Sequence, residues 1–372
     1  MSRPPRFSVS RFHDDPSASP GRGYRTAGDA PVGEETVQWC YDAVEAVSRT
    51  FALTVEQLEE PMAREVCVGY LVCRVADTVE DDPRIPPAEK AALLRTYDRV
   101  LASDTDTDIT DFQQRVDPWL PADPGADWEV VANAPRVLAA LDSLGPTARE
   151  RVVAPVREMV GGMATFVDRY ADEPGLRIQT AAELEEYCQY AAGTVGTLVT
   201  SLVATETDAP TTERLHETAR SFGLLLQLVN VAKDAGGDYT EEGNVYLPAA
   251  WLEAAGVTPA DLGDPAAAER VAPVIERVTA RAETYLDDAQ AWLEAMPEDR
   301  GNRLSAWATP YLLAVGTIRE LARRPADAVR EGDVKVGRAE VAAVVSAFER
   351  GATAADLGDL RTRVRERPLP EY

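Results

Sequence analysis

From Glu34 onward the apolar residues of this chain recur at intervals of three and four, and stretches that alternate apolar with polar are scarce. That spacing fits one face of an α-helix and not the two-residue repeat of a half-buried strand. It predicts helices over 35–58, 62–80, 86–102, 127–142, 146–171, 180–205, 211–234, 266–295, 302–323 and 337–351. Turn clusters separate them. Thr105-Asp-Thr-Asp108 and Pro121-Ala-Asp-Pro-Gly125 sit in one acidic connection, and Asp172-Glu-Pro-Gly175 marks another. With no internal repeat of solenoid length, the expectation is an all-α fold in a single domain over 34–365, preceded by a flexible leader over 1–33 and followed by a tail over 366–372.

Charge narrows the function classes. The 372 residues carry 38 Lys+Arg against 63 Asp+Glu, a net charge of −25. Only three of the basic residues are lysines, Lys90, Lys233 and Lys335. A surface this acidic is unsuited to nucleic acid, whose phosphates need clustered cations. It suits strong salt, where self-repulsion is screened, and reads as halophilic adaptation. Cys40, Cys67, Cys73 and Cys188 contain no C-x-x-C pair and fall mostly in apolar helical patterns, which predicts buried thiols in a reducing compartment. His13 and His216 are the only histidines, too few for a histidine-based zinc site or a Ser-His-Asp triad.

No apolar run reaches transmembrane length. The leader is not expected to act as a signal peptide: five arginines face three aspartates among prolines and glycines, with no apolar core. That excess of positive charge leaves a weak contact with an anionic membrane open beside the plainer reading of a disordered tail.

Two segments concentrate polar groups where the chain is most apolar. Asp77, Glu80 and Asp81 stand at i, i+3 and i+4 and share one helix face, with Arg74 and Tyr70 one and two turns back. Gln227, Asn230 and Asp234 repeat that geometry, and Gly236-Gly237 should loosen the helix before Asp238. Like charges at this spacing repel, so a cation between them explains the pattern, and hard carboxylate oxygens suit Mg²⁺. Solvated acidic helix ends are the plainer reading of either segment alone; two in apolar surroundings favour a site. Ionisation of an allylic diphosphate needs what they offer, Mg²⁺ to neutralise the leaving group and a dry apolar interior to protect a carbocation.

At these residues the sequence resembles the squalene/phytoene synthase family. Ser48-Arg49-Thr50-Phe51 looks like its S-R-S/T-F element, and Cys67 through Asp82 is similar to its first aspartate-rich motif. Tyr187 through Gly196 resembles Y-C-x-Y-V-A-G-x-V-G, and Leu226 through Asp234 with Tyr246-Leu-Pro248 resembles the second motif and its trailing aromatic-x-P. Gly162-Met163-Ala-Thr-Phe166 and Gly332-Asp-Val-Lys335-Val are similar to segments of the squalene branch. There are departures: Lys233 stands where Arg is usual, and Gly237 where an acid is usual, leaving Glu241 or Glu242 as substitutes.

The resemblance implies an isoprenoid synthase fold around a central cavity, with head-to-head condensation of two farnesyl diphosphates through presqualene diphosphate to squalene, using Mg²⁺ and NADPH. Asp77, Glu80, Asp81, Asp234 and Asp238 would hold Mg²⁺; Arg49, Arg74 and Lys233 would bind diphosphate; Phe51, Gln227 and Asn230 would contact substrate; Lys335 would contact NADPH. Tyr187 is the candidate for the proton step, with diphosphate the alternative base. Lys90 reads as an ordinary surface lysine. Gly193 and Gly196 permit close approach of either a helix or a substrate, Gln227 and Asn230 read equally as hydrogen-bond anchors, and Phe51, Phe222 and Tyr246 belong to a tunnel wall or to plain core.

The nearest alternative is a phytoene- or dehydrosqualene-forming enzyme that needs no nicotinamide; a remote one is a non-catalytic lipid-binding or assembly protein of the same fold. The expected partners are prenyl diphosphates, in a cytoplasmic protein with at most peripheral contact at the inner face of the cell membrane.

Overall fold

The computed structural model describes residues 33–103, 106–298, 301–332 and 334–370. The leader, apart from Gly33, and the last two residues of the tail lie outside them. Every regular element among the described residues is helical, as expected, and a lone parallel bridge joins Arg177 to Val245. Four long helices frame the interior: Met62–Asp81, Pro146–Arg169, Ala209–Lys233 and Arg303–Arg323.

Met62–Asp81 is buried over most of its circumference. Leu71, Val72, Val75 and Val79 are inaccessible to solvent, each contributing roughly 1.5–3 kcal/mol by its burial. The helix packs against Pro146–Arg169, Pro87–Ala102 and the pair Ala126–Ala132 and Ala134–Ser143. The four cysteines are free and buried, and burial pushes the Cys40 thiol up to about 11.

Several predicted helices are divided, each for a local reason. The segment 35–58 breaks at Ser48, which is extended (φ −154°, ψ 96°) and caps Arg49–Gln57 by accepting a hydrogen bond from the Phe51 N–H at 3.3 Å. Asn133 divides 127–142, and Thr284-Tyr285 divides 266–295. The segment 180–205 runs Ala181–Cys188, then a wide π-turn over Gln189–Gly193, then Thr194–Val203. Short helices at Ile109–Val116, Ala249–Ala254, Asp327–Arg330 and Leu357–Glu366 add to those predicted, because so few turns carry little periodicity. Ile109–Val116 does have a readable signal, since Asp108 and Asp111 form a reciprocal capping box.

The π-turn lies against Ala209–Lys233 at a distance only glycine allows. A Cβ on Gly196 would lie 2.3 Å from the Ala219 carbonyl oxygen, and one on Gly223 would lie 2.2 Å from that of Ala192. Helix packing therefore accounts for Gly196. Because backbone, not a flexible side chain, is in the way, Gly223→Ala is expected to cost about 3 kcal/mol, read from the denaturation midpoint. A loss below about 0.5 kcal/mol would show that the two helices are not held at this separation.

Candidate active site

Between these helices lies a cavity of about 670 Å³. Asp77, Glu80 and Asp81 reach it from the last turns of Met62–Asp81, while Asp234, Asp238 and Glu242 reach it from the end of Ala209–Lys233 and the π-turn Asp238–Glu242. Phe51, Arg74, Tyr187, Gln227, Asn230, Lys233, Tyr246 and Lys335 also line it, as do Phe222 and Trp307 in its apolar part. The two acidic groups thus converge. Arg49 is the exception: it is exposed at the first position of its helix and outside the lining, because the break at Ser48 turns Ser48, Thr50 and Phe51 toward the cavity instead.

The carboxylates burden one another. Their accessible surface faces the cavity, so burial disfavours their charge. Burial with the neighbouring Asp81 and Asp127 pushes Asp77 up to about 7, against the pull of Arg74. Burial followed by Glu242, Asp234 and Asp81 pushes Asp238 up to about 9. Glu242 rises to about 8 through burial and Asp81, and Glu80 is held above its ordinary value by burial and Asp81. Asp82 is different. It turns away from the cavity onto Arg84 and the Trp128 indole N–H at 3.1 Å, and its carboxyl stays low.

Such a set fits a divalent cation in charge and in donor chemistry. Among the described residues no group of three or more closes around an ion unaided. Mg²⁺ does not require that, since it commonly keeps several waters and shares its shell with substrate phosphates. Beside the acids stand two cations. Arg74 donates from Nε to Asp127 Oδ1 at 2.7 Å, with Nη1 3.9 Å from Asp77, and Lys233 pairs with Asp234.

Tyr187 sits beside the first acidic group. Its hydroxyl lies 3.3 Å and 3.4 Å from the Glu80 carboxylate oxygens and 3.2 Å from the Tyr246 hydroxyl. Asn244 holds the far side of Tyr246. Its Oδ1 accepts from the Leu176 N–H at 2.9 Å, so its amide donates to the Tyr246 oxygen at 3.0 Å and to Glu242 at 3.2 Å. The Tyr187 hydroxyl is the donor of this network, with the Glu80 carboxylate and the Tyr246 oxygen both within its reach. Burial, with Glu80 and Asp81, holds the Tyr187 phenol well above its ordinary value, so it remains a proton donor. Phe166 packs edge-on against its ring, 5.3 Å between centroids, and Phe51 stacks on Tyr70 at 4.1 Å.

With this arrangement in place, the comparisons with known proteins are specific. The family model for squalene/phytoene synthase matches residues 44–340. This chain belongs to the squalene/phytoene synthase family. The squalene synthase of Schizosaccharomyces pombe is 24% identical over 315 residues, 84% of this chain and 65% of that protein. Squalene synthase 1 of Arabidopsis thaliana is 27% identical over 323 residues, 86% and 72% of the two. A presqualene diphosphate synthase of Botryococcus braunii is 30% identical over 215 residues, 57% of this chain and 48% of its own. The chain spans about half to two thirds of the length of the first curated relatives it matches.

In fold, a ligand complex of TcSQS superposes with a TM-score of 0.71 at 23% identity, covering 90% of this chain and 98% of that one. A dehydrosqualene synthase with ligand gives 0.55 at 22%, covering 90% and 96%.

This squalene/phytoene synthase family member adds to the sequence reading at Glu242, Tyr246 and Asn244 and departs from it at Lys90. Of the two substitutes for the acid missing at Gly237, Glu242 lines the cavity and Glu241 is exposed. Tyr246, which lines the cavity, is also a polar partner of Tyr187, and Asn244 in turn holds Tyr246. Lys90 is not a surface residue: it is only 9% exposed, and its ammonium donates to the Glu80 carbonyl oxygen. Burial lowers it from its ordinary value, and the carboxylates of Glu80, Asp81, Asp82 and Glu242 oppose that. A signal exists in the sequence. Lys90, Leu94, Tyr97 and Leu101 form one buried stripe along Pro87–Ala102.

Lys335 stands exposed on the cavity rim, its carbonyl accepting from Arg324 at 3.2 Å. No helix of the described residues is long and apolar enough to cross a membrane.

Proposed function

We propose that this protein condenses two farnesyl diphosphates head to head into presqualene diphosphate and reduces that to squalene with NADPH. The observation that carries the reading is the pair of acidic groups meeting across one apolar cavity, with Tyr187 buried beside them. Relatives called squalene synthase in Schizosaccharomyces pombe and Arabidopsis thaliana support the squalene branch.

On this reading Asp77, Glu80, Asp81, Asp234 and Asp238, joined by Glu242, hold Mg²⁺, which when bound draws negative charge from a leaving diphosphate. Arg74 and Lys233 exchange their carboxylate partners for diphosphate oxygens as substrate arrives. Lys233 does so as a point charge, without the bidentate fork of an arginine. Arg49, exposed at a helix start, is at most an outer contact. The apolar wall, with Phe51, Phe222 and Trp307, excludes water from the allylic cation formed when the C1–O bond of one substrate breaks. The double bond of the second substrate attacks that carbon, and loss of a proton closes the cyclopropane.

Tyr187 holds Glu80 in place through its hydroxyl. As a protonated phenol it is a poor base, and the released diphosphate takes the proton. Gln227 and Asn230, on the cavity face of Ala209–Lys233, contact the substrate between the two groups. Lys335 offers a cation at the rim for a phosphate of NADPH, which when bound supplies the hydride for the second stage. The water-insoluble product leaves toward a membrane touched from the cytoplasmic side.

Diphosphate release from labelled farnesyl diphosphate tests the first stage. It is expected to stop in EDTA and return with Mg²⁺; release that is the same in EDTA would contradict the role of the acidic groups.

A further inference from the structure

Lys90 is the one lysine for which the proposed reaction has no task, yet it is more deeply buried than Lys233 or Lys335. It is absent from the cavity wall, so it does not reach substrate. It sits behind that wall. Its helix, Pro87–Ala102, packs along Met62–Asp81, and its ammonium meets the Glu80 carbonyl oxygen near the C-terminal end of the latter. That end carries unsatisfied carbonyls and partial negative charge, which a cation stabilises. The same ammonium acts on Glu80 and Asp81 of the first acidic group and on Glu242 of the second. Arg74, by contrast, acts on Asp77 and Asp81, and Lys233 on Asp238.

We propose that Lys90 is a positioning residue, a fixed internal cation that pins the end of Met62–Asp81 and holds Glu80 and Asp81 at their spacing from Glu242 when no metal lies between them. The inference rests on the reading that these acids take Mg²⁺. Without Lys90, several buried carboxylates face one another with less compensation, and breaking such a balance is strongly destabilising. A divalent cation entering from the cavity side restores most of that balance from the opposite face. Lys90 and the metal are thus partial substitutes for each other in stability, while Lys90 never touches the reacting atoms.

The test compares the full-length wild type with Lys90→Met, which keeps the chain length and removes the charge, and with Lys90→Arg, which keeps the charge. Each is melted at constant ionic strength in EDTA and in rising MgCl₂. In EDTA, Lys90→Met is expected to melt at least about 4 °C below wild type, and saturating Mg²⁺ is expected to recover more than half of that deficit. By linkage, a larger gain from the ion means tighter apparent binding, so the half-saturating Mg²⁺ concentration should fall at least about threefold. Lys90→Arg should follow wild type in both respects. A Lys90→Met chain that is unfolded in EDTA and folds on Mg²⁺ titration supports the proposal equally.

A deficit that is the same with and without Mg²⁺ would overturn it, because that is what a merely space-filling lysine gives. So would a chain that stays unfolded at every Mg²⁺ concentration, or a variant indistinguishable from wild type. A wild-type protein indifferent to Mg²⁺ would overturn the metal reading and this inference together, which separates the two failures.

Discussion

Asp238→Asn should make the metal-free protein more stable while removing its activity. Asp238 is crowded by Glu242, Asp234 and Asp81, and burial with their charge pushes it up to about 9. The folded state therefore retains a proton that the unfolded chain releases near an ordinary carboxylate value of about 4. Because the native state binds more protons across that interval, stability declines as pH rises from about 4 to about 9. Asparagine has no charge to force into that setting, so its share of the decline disappears. At pH 8 in EDTA the variant should exceed wild type by about 2 kcal/mol, and at pH 4 the two should coincide.

Mg²⁺ should reverse the order by stabilising wild type more. Activity should fall about 10³-fold or further, the scale of losing a group that stabilises developing charge. Denaturation curves at the two pH values, with and without Mg²⁺, check the stability claim, and diphosphate release checks the rate. A variant less stable than wild type in EDTA at pH 8 would mean that Asp238 is not under the stress described. The sign is informative because most substitutions destabilise, and a gain on losing a polar group is the mark of a site held under strain for function.

Fold class is legible in the residues because a three-to-four periodicity sustained over long segments has one structural solution. The breaks are less so. Ser48 interrupts a continuous apolar pattern through a single capping bond, and the π-turn at Gln189–Gly193 depends on the close glycine contact with Ala209–Lys233. Contacts with partners distant in sequence decide such details, and local spacing does not register them.

The site shows the same division. Asp77, Glu80 and Asp81 are readable as one face because Met62–Asp81 is a regular helix to its end. The choice between Glu241 and Glu242 is not, because Asp238–Glu242 is wound more widely than an α-helix, with the Gly243 N–H reaching back to the Asp238 carbonyl. That winding turns Glu242, four residues on, into the cavity and leaves Glu241 outside. Arg49 departs from expectation for the complementary reason: a motif can name a residue while the turn of its helix decides where the side chain goes. Among the three lysines, Lys233 and Lys335 stand in segments that resemble the family and line the cavity. Lys90 stands in no such segment, so a motif gives no reason to place it inside; the buried stripe of its own helix does.

Two facing acidic groups and an apolar cavity would serve a two-stage condensation whose second stage draws a hydride from NADPH. On the proposed reading Lys335, at the cavity rim, would serve that second stage, and its replacement by alanine should affect reduction and leave the first diphosphate release unchanged. The largest change in outcome comes from the nicotinamide itself. With farnesyl diphosphate and Mg²⁺ at high salt, omission of NADPH is expected to leave presqualene diphosphate as the main product, and its addition to convert that to squalene. The most direct measurement is therefore identification by mass of the extracted product from parallel incubations with and without NADPH, using farnesyl and geranylgeranyl diphosphate in turn. Squalene formed from farnesyl diphosphate only when NADPH is present is the predicted result. Dehydrosqualene, or phytoene from geranylgeranyl diphosphate, formed equally with and without NADPH would contradict it.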